Sequence, residues 1–570
     1  MNVLDIMAFK PGNAPKRTNE NPIDASEITD DPNDNYEARA KKRKLAVARA
    51  KAIAAKAEED AKMRQLEQDA LEKKQNVTAY DDDHVHKISQ FVDQGESFDQ
   101  VSLDSAGIKR LLLMFEKKVN KNQEQRIKHS EEPEKFLESE LELHDSIRDL
   151  HILATVPDLY QVVVDVGCVP SLLGLLSHAN TDIAVAAVDL LEEITDVDIL
   201  IENSDGALAL LESILENRVL PLLSDNLERL DETVKEESEG IHNTLAIIEH
   251  ILELMPETSH QVASAGFLAW IVKKLKVKVV YDANKLYASE ILSILLHDNV
   301  KNRLMFGEMG AIDSILQQLA YFKRHDPSTL EEVELMENLF DCVCCLLLEA
   351  GNRDKFLSGE GLQLMNLMLR EKKKSRGGAL KVLSHALSGD GGKELCLKFV
   401  EILGLRTLFP LFMKTPSRGK RSGISAKDHE EHVVNILASL VRNLSAENVD
   451  AGMKGRLLTK FVENDYEKVD RLVELHCNYF ASAMETEKIL RNEATGWEGS
   501  KEQVEEEMYL KSLEEGLFTL QQLDYIMSVI CEHGASSIKP RMEKGLSLRG
   551  KKLSDAKDII NRVQLADDGQ

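Results

Sequence analysis

The sequence is poor in the side chains from which small-molecule pockets are usually built. Only 2 of its 570 residues are Trp, aromatic residues make up 5% of the chain, and Pro occupies 13 positions. No apolar stretch reaches the roughly 18 residues that a membrane-spanning helix needs, and the first residues lack the basic and apolar regions of a secretory signal. We therefore expect neither a secreted nor a membrane protein, and nothing in the composition indicates a cofactor.

Basic residues are also fewer than acidic residues. The chain has 71 Lys and Arg residues against 98 Asp and Glu residues, which gives a formal net charge of −27. Such a protein repels nucleic acid and attracts basic partners, so direct nucleic-acid contact is disfavoured. The 7 Cys residues are scattered, nearly all of them in apolar helical stretches, which indicates the reduced, packed thiols of an intracellular protein.

No catalytic or metal-binding motif has the spacing that its chemistry needs. His429 and His432 flank two glutamates, but a zinc-protease helix needs its histidines four apart rather than three. Cys342, Cys344 and Cys345 lie among leucines at helical spacing, where packing is a better explanation than catalysis. The sequence therefore predicts no catalytic residue and no metal site, and an enzyme is disfavoured.

What the chain does contain is a recurring unit. A Gly, or once an Asn, precedes a short run with Leu and Ile at helical spacing, and successive units are about 43 to 51 residues apart. The landmark residues are Gly167, Asn217, Gly266, Gly310, Gly361 and Gly404. Periods of this size are typical of stacked helical repeats, none of which can bury its apolar face alone. Because such a stack presents a long surface suited to holding another macromolecule, we interpret the chain as a binding scaffold.

The repeats divide the chain into four predicted parts. Residues 1–80 are polar and are predicted to form a disordered tail that contains basic residues of the nuclear-import type. Residues 81–157 are predicted to form an N-terminal helical cap, residues 158–447 the repeats, and residues 448–570 a C-terminal helical cap without the landmark. The predicted import signal comprises Lys16, Arg17, Lys41, Lys42, Arg43 and Lys44.

The second, longer helix of each repeat carries the candidate binding residues. Its last copy, Ile436–Ser445, resembles the third helix of an armadillo repeat, which in nuclear-import adaptors lines the groove with a Trp and, four residues later, an Asn. At the matching positions the first four repeats carry carboxylates, and a column of carboxylates would favour Lys- and Arg-rich segments. The predicted basic-peptide-binding residues are Asp189, Glu193, Glu249, Glu253, Glu290 and Asp341. An ordinary solvated face of an acidic protein is the alternative interpretation.

One basic segment, Lys414–Arg421, interrupts the last repeat. It could contact RNA phosphates, or it could carry phosphate on Thr415 or Ser417, which would cancel part of its charge. No aromatic side chain interleaves with its charges, so base stacking is not indicated. A solvated loop is the simpler interpretation, and the sequence leaves these alternatives open.

Several long strings of residues resemble a known family, the beta-catenin-like nuclear armadillo-repeat proteins. The strings are Lys121–Lys128, Pro133–Phe136, Asp282–Tyr287, Phe322–His325, Glu337–Asp341, Gly359–Arg370, Gly404–Thr407 and Glu467–Leu472. The resemblance implies a nuclear location and an association with the spliceosome through the nineteen complex. It also implies that the repeats recognise basic nuclear-localisation segments of a Myb-type splicing scaffold and of other splicing factors.

Together these observations predict an all-α, armadillo/HEAT-type right-handed superhelical solenoid with N- and C-terminal helical caps and a disordered N-terminal tail. The predicted role is that of a nuclear, non-enzymatic adaptor of pre-mRNA splicing, which holds basic segments of splicing factors in an acidic groove. Two alternatives remain, namely an import-adaptor-like carrier of basic cargo and a scaffold that contacts RNA through Lys414–Arg421. Homodimerisation through the cap helices is also left open by the sequence.

Overall fold

The computed structural model describes residues 104–553, apart from 203, 278–280, 372, 416–423, 446–450 and 494–500. The predicted tail 1–80, with its import signal, and the first part of the predicted N-terminal cap lie outside the described residues. None of the described residues is in a strand, and most of them are in helices, as the predicted all-α class requires.

The α-helices follow one another through short connections that include 3-10 and π turns. They are α1 (Ser105–Lys128), α2 (Leu137–Asp149), α3 (Tyr160–Val166), α4 (Val169–Gly174), α5 (Thr181–Ile194), α6 (Val197–Glu202), α7 (Ser204–Glu216), α8 (Val219–Arg229), α9 (Lys235–Leu254), α10 (Ser259–Val262), α11 (Leu268–Lys276), α12 (Ala283–His297), α13 (Val300–Glu308), α14 (Ala311–Phe322), α15 (Leu330–Leu346), α16 (Ala350–Ser358), α17 (Gly361–Arg370), α18 (Ser375–Leu387), α19 (Lys393–Glu401), α20 (Leu405–Met413), α21 (Ala426–Ser445), α22 (Ala451–Thr459), α23 (Glu463–Glu493), α24 (Lys501–Ser512), α25 (Phe518–His533) and α26 (Ile538–Ser547). Over the described ranges no single helix is both long and apolar enough to cross a membrane, although the bent pair Pro157–Val166 and Val169–Ser177 passes that test jointly.

From α13 onwards the helices group into units of three. In the unit α13, α14 and α15 the helices have 9, 12 and 17 residues, and α16 to α18 and α19 to α21 repeat the order. The third helices lie side by side, and we call α5, α9, α12, α15, α18 and α21 the long-helix row because each of them contacts the next. Three helices per unit is the armadillo arrangement, so the predicted armadillo-type stack is confirmed. Its right-handed sense stays a prediction.

Glycines set the distance between neighbouring helices of the long-helix row. A Cβ atom on Gly240 of α9 would lie 2.8 Å from a methyl carbon of Val185 on α5. A Cβ atom on Gly378 of α18 would collide with the ring of Phe340 on α15. Protein interiors are close-packed, so only Gly lets these helices approach so closely.

Polar caps determine where the long helices begin. The side chains of Asn180, Asp282 and Thr329 accept hydrogen bonds from backbone N–H groups in the first turns of α5, α12 and α15. These N–H groups have no partner inside their own helix, so a cap stabilises the helix at one starting residue.

One residue in the left-handed conformation precedes the second helix of each unit, either at the landmark itself or directly beside it. Gly167, Gly266 and Gly310 have φ angles of 76°, 120° and 69°. In the other three units the left-handed residue is a direct neighbour of the landmark, and these neighbours are Arg218, Glu360 and Leu403, with φ angles of 61°, 59° and 62°. The turn therefore needs the conformation in every unit, while Gly supplies it without steric cost in only three.

At Gly361 and Gly404 the landmark is needed for close approach instead. A Cβ atom on Gly404 would lie 2.5 Å from the ring of Phe399, and one on Gly361 would collide with the ring of Phe356. Both rings are completely buried, at 0% exposure. Each Gly thus lets an aromatic side chain of the first helix pack directly beneath the start of the second.

A left-handed Gly follows residue 450, but it precedes a helix that packs against the last helix of the long-helix row rather than the second helix of a unit, so the predicted C-terminal cap without the landmark stays a prediction. Gly516 has a φ of 110° and lies in the π turn Leu513–Leu517, much as Gly266 lies in the π turn Ala263–Phe267. The helix that follows, α25, packs against α21. The side-by-side packing of the long-helix row therefore continues by one helix into the C-terminal part.

We predict that Gly361→Ala and Gly404→Ala each lower the free energy of unfolding by about 1–3 kcal/mol, because the added methyl group overpacks a buried ring. Urea unfolding followed by circular dichroism at 222 nm measures the loss. Gly351→Ala is the matched control, since this helical Gly of α16 has nothing within 4 Å of its would-be Cβ and Ala has the higher helix propensity. An equal loss of stability in all three variants would contradict the explanation by close approach.

Candidate functional site

All of the predicted peptide-binding carboxylates lie on the long-helix row. Asp189 and Glu193 are on α5, Glu249 and Glu253 on α9, and Glu290 and Asp341 follow on α12 and α15. These four helices are consecutive neighbours in the row. The structure thus places the carboxylates on adjacent helices, as the register of the repeats predicted.

The carboxylates of α5 are surrounded by side chains from both sides of the helix. The Nδ2 atom of Asn243, on α9, donates a hydrogen bond of 2.9 Å to Oδ1 of Asp189. His151, from the 3-10 turn Leu150–Thr155, contacts Glu193 through Nδ1 and lies 3.9 Å from Asp189 through Nε2. Asp189 and Glu193 nevertheless keep 57% and 43% of their side-chain surface exposed, so both remain accessible to a ligand.

An aromatic residue lies between the carboxylates of α9 and α12. The hydroxyl of Tyr287, on α12, donates a hydrogen bond of 2.6 Å to Oε2 of Glu249. Burial raises the pKa of Tyr287 well above its usual value, and the charges of Glu249 and Glu290 raise it further. Tyr287, Glu249 and Glu290 are all half-buried, whereas Glu253, one turn beyond Glu249, is exposed. Tyr287 thus stays protonated and serves Glu249 as a neutral donor.

Asp341 has a different environment from the other carboxylates. The Nζ atom of Lys381, on α18, lies 2.6 Å from its Oδ1 atom. Burial lowers the pKa of Lys381, but Asp341 and its other neighbours outweigh burial and raise that pKa overall. Lys381 therefore stays charged beside Asp341, and the charges of this ion pair cancel. The acidic surface formed by α5, α9 and α12 ends at α15, and we call it the acidic stretch.

Beyond the acidic stretch the long-helix row carries histidines that stay neutral. Burial lowers the pKa of His385 on α18, and the neighbouring charge of Lys381 lowers it further. Burial lowers the pKa of His432 on α21 to about 4, with His385 contributing. At neutral pH this end of the row therefore adds no positive charge through its histidines.

Sequence reasoning missed the donors that surround the carboxylates. Tyr287 lies one helical turn before Glu290, so helical spacing alone could have placed it on the same face. Lys381 occupies the position in its repeat that matches Asp341 in the preceding one, which is also a readable signal. His151 lies in a 3-10 turn far from α5 in sequence, and no local pattern connects it with Glu193.

The remaining sequence motifs have structural environments. His429 is buried, and Nε2 of its ring lies 3.4 Å from the carbonyl oxygen of Leu411. Among the residues that the structure describes, no group of three or more His, Cys, Asp or Glu side chains could hold a metal ion. Burial raises the pKa of the Cys168 and Cys396 thiols to about 12, so both stay protonated and unreactive at neutral pH.

Of the basic segment Lys414–Arg421, only Lys414 and Thr415 belong to the described residues. The hydroxyl of Thr415 donates to Glu430 and accepts a hydrogen bond of 2.8 Å from Nη2 of Arg471. The first part of this segment is thus held against α21 and α23, while residues 416–421 lie outside the described ranges. Contact with RNA and modification by phosphate both stay predictions.

Residues 86–561 match a family model described as "Catenin-beta-like, Arm-motif containing nuclear". The chain belongs to this family. Human beta-catenin-like protein 1 is 52% identical over 462 residues, which cover 80% of this chain and 81% of the human protein. The beta-catenin-like protein 1 homolog of Schizosaccharomyces pombe is 33% identical over 455 residues, covering 79% of this chain and 78% of the yeast protein. The resemblance read from the sequence strings is thereby confirmed.

Among solved structures, an engineered protein matches with a TM-score of 0.43 and 16% identity, covering 78% of this chain and 97% of that one. A structure from work on the phosphorylation-controlled interaction between cadherin and beta-catenin matches with a TM-score of 0.42 and 13% identity, covering 70% of this chain and 68% of that one. The family description and the units of three helices identify the chain as a nuclear-type armadillo-repeat scaffold.

The lowered pKa of His432 predicts a loss of stability in acid. Its pKa in the folded protein is about 4, against 6.5 for a solvated His, so the unfolded chain binds a proton first as the pH falls. Stability is therefore lost between pH 6.5 and pH 4. At pH 5 the protonation of this residue in the unfolded chain has lowered the free energy of unfolding by about 2 kcal/mol.

Urea unfolding at pH 7.5 and pH 5 measures this effect in the wild type and in His432→Gln. We expect the variant to lose less stability than the wild type between the two pH values. His144→Gln is the control, because His144 of α2 is exposed. The assignment is wrong if His432→Gln and the wild type lose equal stability.

Proposed function

We propose that this protein is a nuclear, non-enzymatic adaptor of pre-mRNA splicing, whose acidic stretch holds Lys- and Arg-rich segments of splicing factors. The observation that carries the proposal is a set of carboxylates on three adjacent helices, of which Asp189 and Glu249 accept hydrogen bonds from the neutral side chains of Asn243 and Tyr287. Family membership supports the nuclear location and the scaffold role. The proposed link to the nineteen complex and to its Myb-type scaffold rests on the resemblance of the sequence strings to the family.

The donors of the acidic stretch support binding of a cationic ligand. Asn243 and Tyr287 are neutral, so their hydrogen bonds orient Asp189 and Glu249 without cancelling the negative charge. A carboxylate oxygen accepts more than one hydrogen bond, so an oriented carboxylate can still bind an ammonium or guanidinium group. Several such carboxylates focus negative potential and attract basic segments, most strongly at low salt.

The dimensions of the acidic stretch suggest the length of the ligand. Packed helices are about 8–10 Å apart, so α5, α9 and α12 together span about 20 Å. An extended peptide advances about 3.3 Å per residue, so about six residues cover this distance. A short basic run of the nuclear-localisation type has this length, and it presents side chains alternately to the two sides.

We predict that neutralising the acidic stretch abolishes most of the affinity for such peptides. The variant carries Asp189→Asn, Glu193→Gln, Glu249→Gln and Glu253→Gln. Each exposed ion pair contributes up to about 1 kcal/mol, so we expect the dissociation constant of a fluorescent hexa-arginine peptide to rise about tenfold or more at 0.15 M salt. Fluorescence anisotropy gives the constants.

The matched control is Glu212→Gln with Glu216→Gln, an exposed pair four residues apart on α7, outside the long-helix row. The control should bind like the wild type. The same proteins then serve as baits in nuclease-treated nuclear extract, where the wild type and the control should retain splicing factors and the neutralised variant should not. Retention of the same factors by all three baits, or unchanged peptide affinity, contradicts the proposal.

A second prediction concerns the pair that ends the acidic stretch. Lys381→Gln leaves Asp341 without its cation, so the acidic surface gains one helix, α15. We expect a basic peptide of twelve residues to bind about two- to fivefold more tightly to this variant, whereas a peptide of six residues, which fits α5 to α12, should bind as before. Equal changes for the two lengths would show that Asp341 is not aligned with the acidic stretch.

A further inference from the structure

The ring of Tyr287 lies between predicted carboxylates of α9 and α12. Its ring is half-buried on α12, one turn before Glu290, and its hydroxyl is bonded to Glu249 on α9. The ring of His242, also on α9, lies against it with 4.9 Å between the ring centroids and 51° between their planes. Two neighbouring helices thus contribute a pair of rings to the middle of the acidic stretch.

Three carboxylates lie around Tyr287. Glu249 accepts the Tyr287 hydroxyl through Oε2 at 2.6 Å. Glu290 and Glu192 lie close enough to raise the pKa of Tyr287 through their charges, after burial and Glu249. These three carboxylates come from α12, α5 and α9, so they surround the ring from three helices of the long-helix row.

An aromatic face bordered by carboxylates binds the guanidinium of Arg better than the ammonium of Lys. The guanidinium of Arg is planar, stacks on aromatic faces, and binds carboxylates with two parallel N–H groups. The ammonium of Lys is a compact, strongly hydrated charge, which gains little from a ring face. The surroundings of Asp189 and Glu193 differ, because Asn243 and His151 lie there and the nearby Tyr160, whose pKa burial and then Glu193 raise, is completely buried at 0% exposure and offers no ring face to a ligand.

We propose that Tyr287, with Glu249 and Glu290, forms an arginine-selective subsite in the middle of the acidic stretch. The guanidinium of a bound peptide stacks on the exposed part of the Tyr287 ring, and its N–H groups bind the flanking carboxylates. The outer positions, at Asp189, Glu193 and Glu253, take Lys and Arg alike. This inference rests on the proposed function, because it names the side chain that the proposed peptide places at one position.

The experiment compares three fluorescent peptides, hexa-lysine, hexa-lysine with one central Arg, and hexa-arginine, by anisotropy at 0.15 M salt. For the wild type we expect the single central Arg to tighten binding about three- to tenfold, which is most of the advantage of hexa-arginine. In Tyr287→Leu this advantage should fall to less than twofold, while hexa-lysine affinity changes little. In Tyr287→Phe, which keeps the ring, the advantage should remain.

The matched control is Tyr321→Leu. Tyr321 is 38% exposed and stacks on His325 with 4.4 Å between ring centroids, so it is also a Tyr with a His neighbour. It lies on α14, outside the long-helix row, and its loss should leave the preference for Arg unchanged. Circular dichroism and thermal unfolding check that each variant is folded. Tyr287→Met, whose unbranched and flexible side chain adapts to irregular gaps, replaces Tyr287→Leu if the latter does not fold.

The outcomes separate the two proposals. If no peptide binds the wild type, the proposed function fails and the subsite fails with it. If the peptides bind but Arg and Lys are equivalent, or if the preference for Arg survives in Tyr287→Leu, the subsite is wrong and recognition of basic segments stands. A preference lost in Tyr287→Leu and kept in Tyr287→Phe and Tyr321→Leu supports the subsite.

Discussion

Close packing of each long helix on the next is the constraint on which the rest of this structure depends. Gly240 lets α9 approach Val185 of α5, and Gly378 lets α18 approach Phe340 of α15. At this separation, side chains at matching positions of neighbouring helices come within reach of one another. The hydrogen bond from Asn243 to Asp189 and the pair formed by Asp341 and Lys381 are both contacts of this kind. The chemistry of the surface is thus a consequence of how the backbones pack beneath it.

Neutral hydrogen-bond donors explain how carboxylates can be concentrated on this surface. Like charges four residues apart on one helix destabilise it by a few tenths of a kcal/mol. Asn243 and Tyr287 hold their carboxylates in place without neutralising them, whereas Lys381 both holds and neutralises Asp341. The row therefore contains two solutions to the same electrostatic problem, and only the first preserves a field that a ligand could use.

The fold could be predicted from the sequence because its signals are periodic and local. The spacing of the landmarks gave the stack, and helical spacing placed Asp189 with Glu193 on one face. The left-handed residues at Arg218 and Glu360 could not be predicted, since Arg and Glu rarely adopt this conformation and the adjacent Asn217 and Gly361 are of the types that adopt it most readily.

The surroundings of the site were less predictable than its position. The hydrogen bond between Tyr287 and Glu249 joins two helices. It depends on the separation of the helices and on two side-chain rotamers, and the spacing of residues along the sequence predicts neither. The contact of Lys381 with Asp341 was different, because aligned repeats place the two residues at equivalent positions. Opposite charges at equivalent positions of neighbouring repeats predict such a contact.

The ion pair of Asp341 and Lys381 gives the long-helix row a polarity along its length. On one side of it the row presents carboxylates, and on the other it presents half-buried, uncharged imidazoles at His385 and His432. An extended chain that followed the whole row would therefore match it in only one direction, with its cationic residues at one end and uncharged residues at the other.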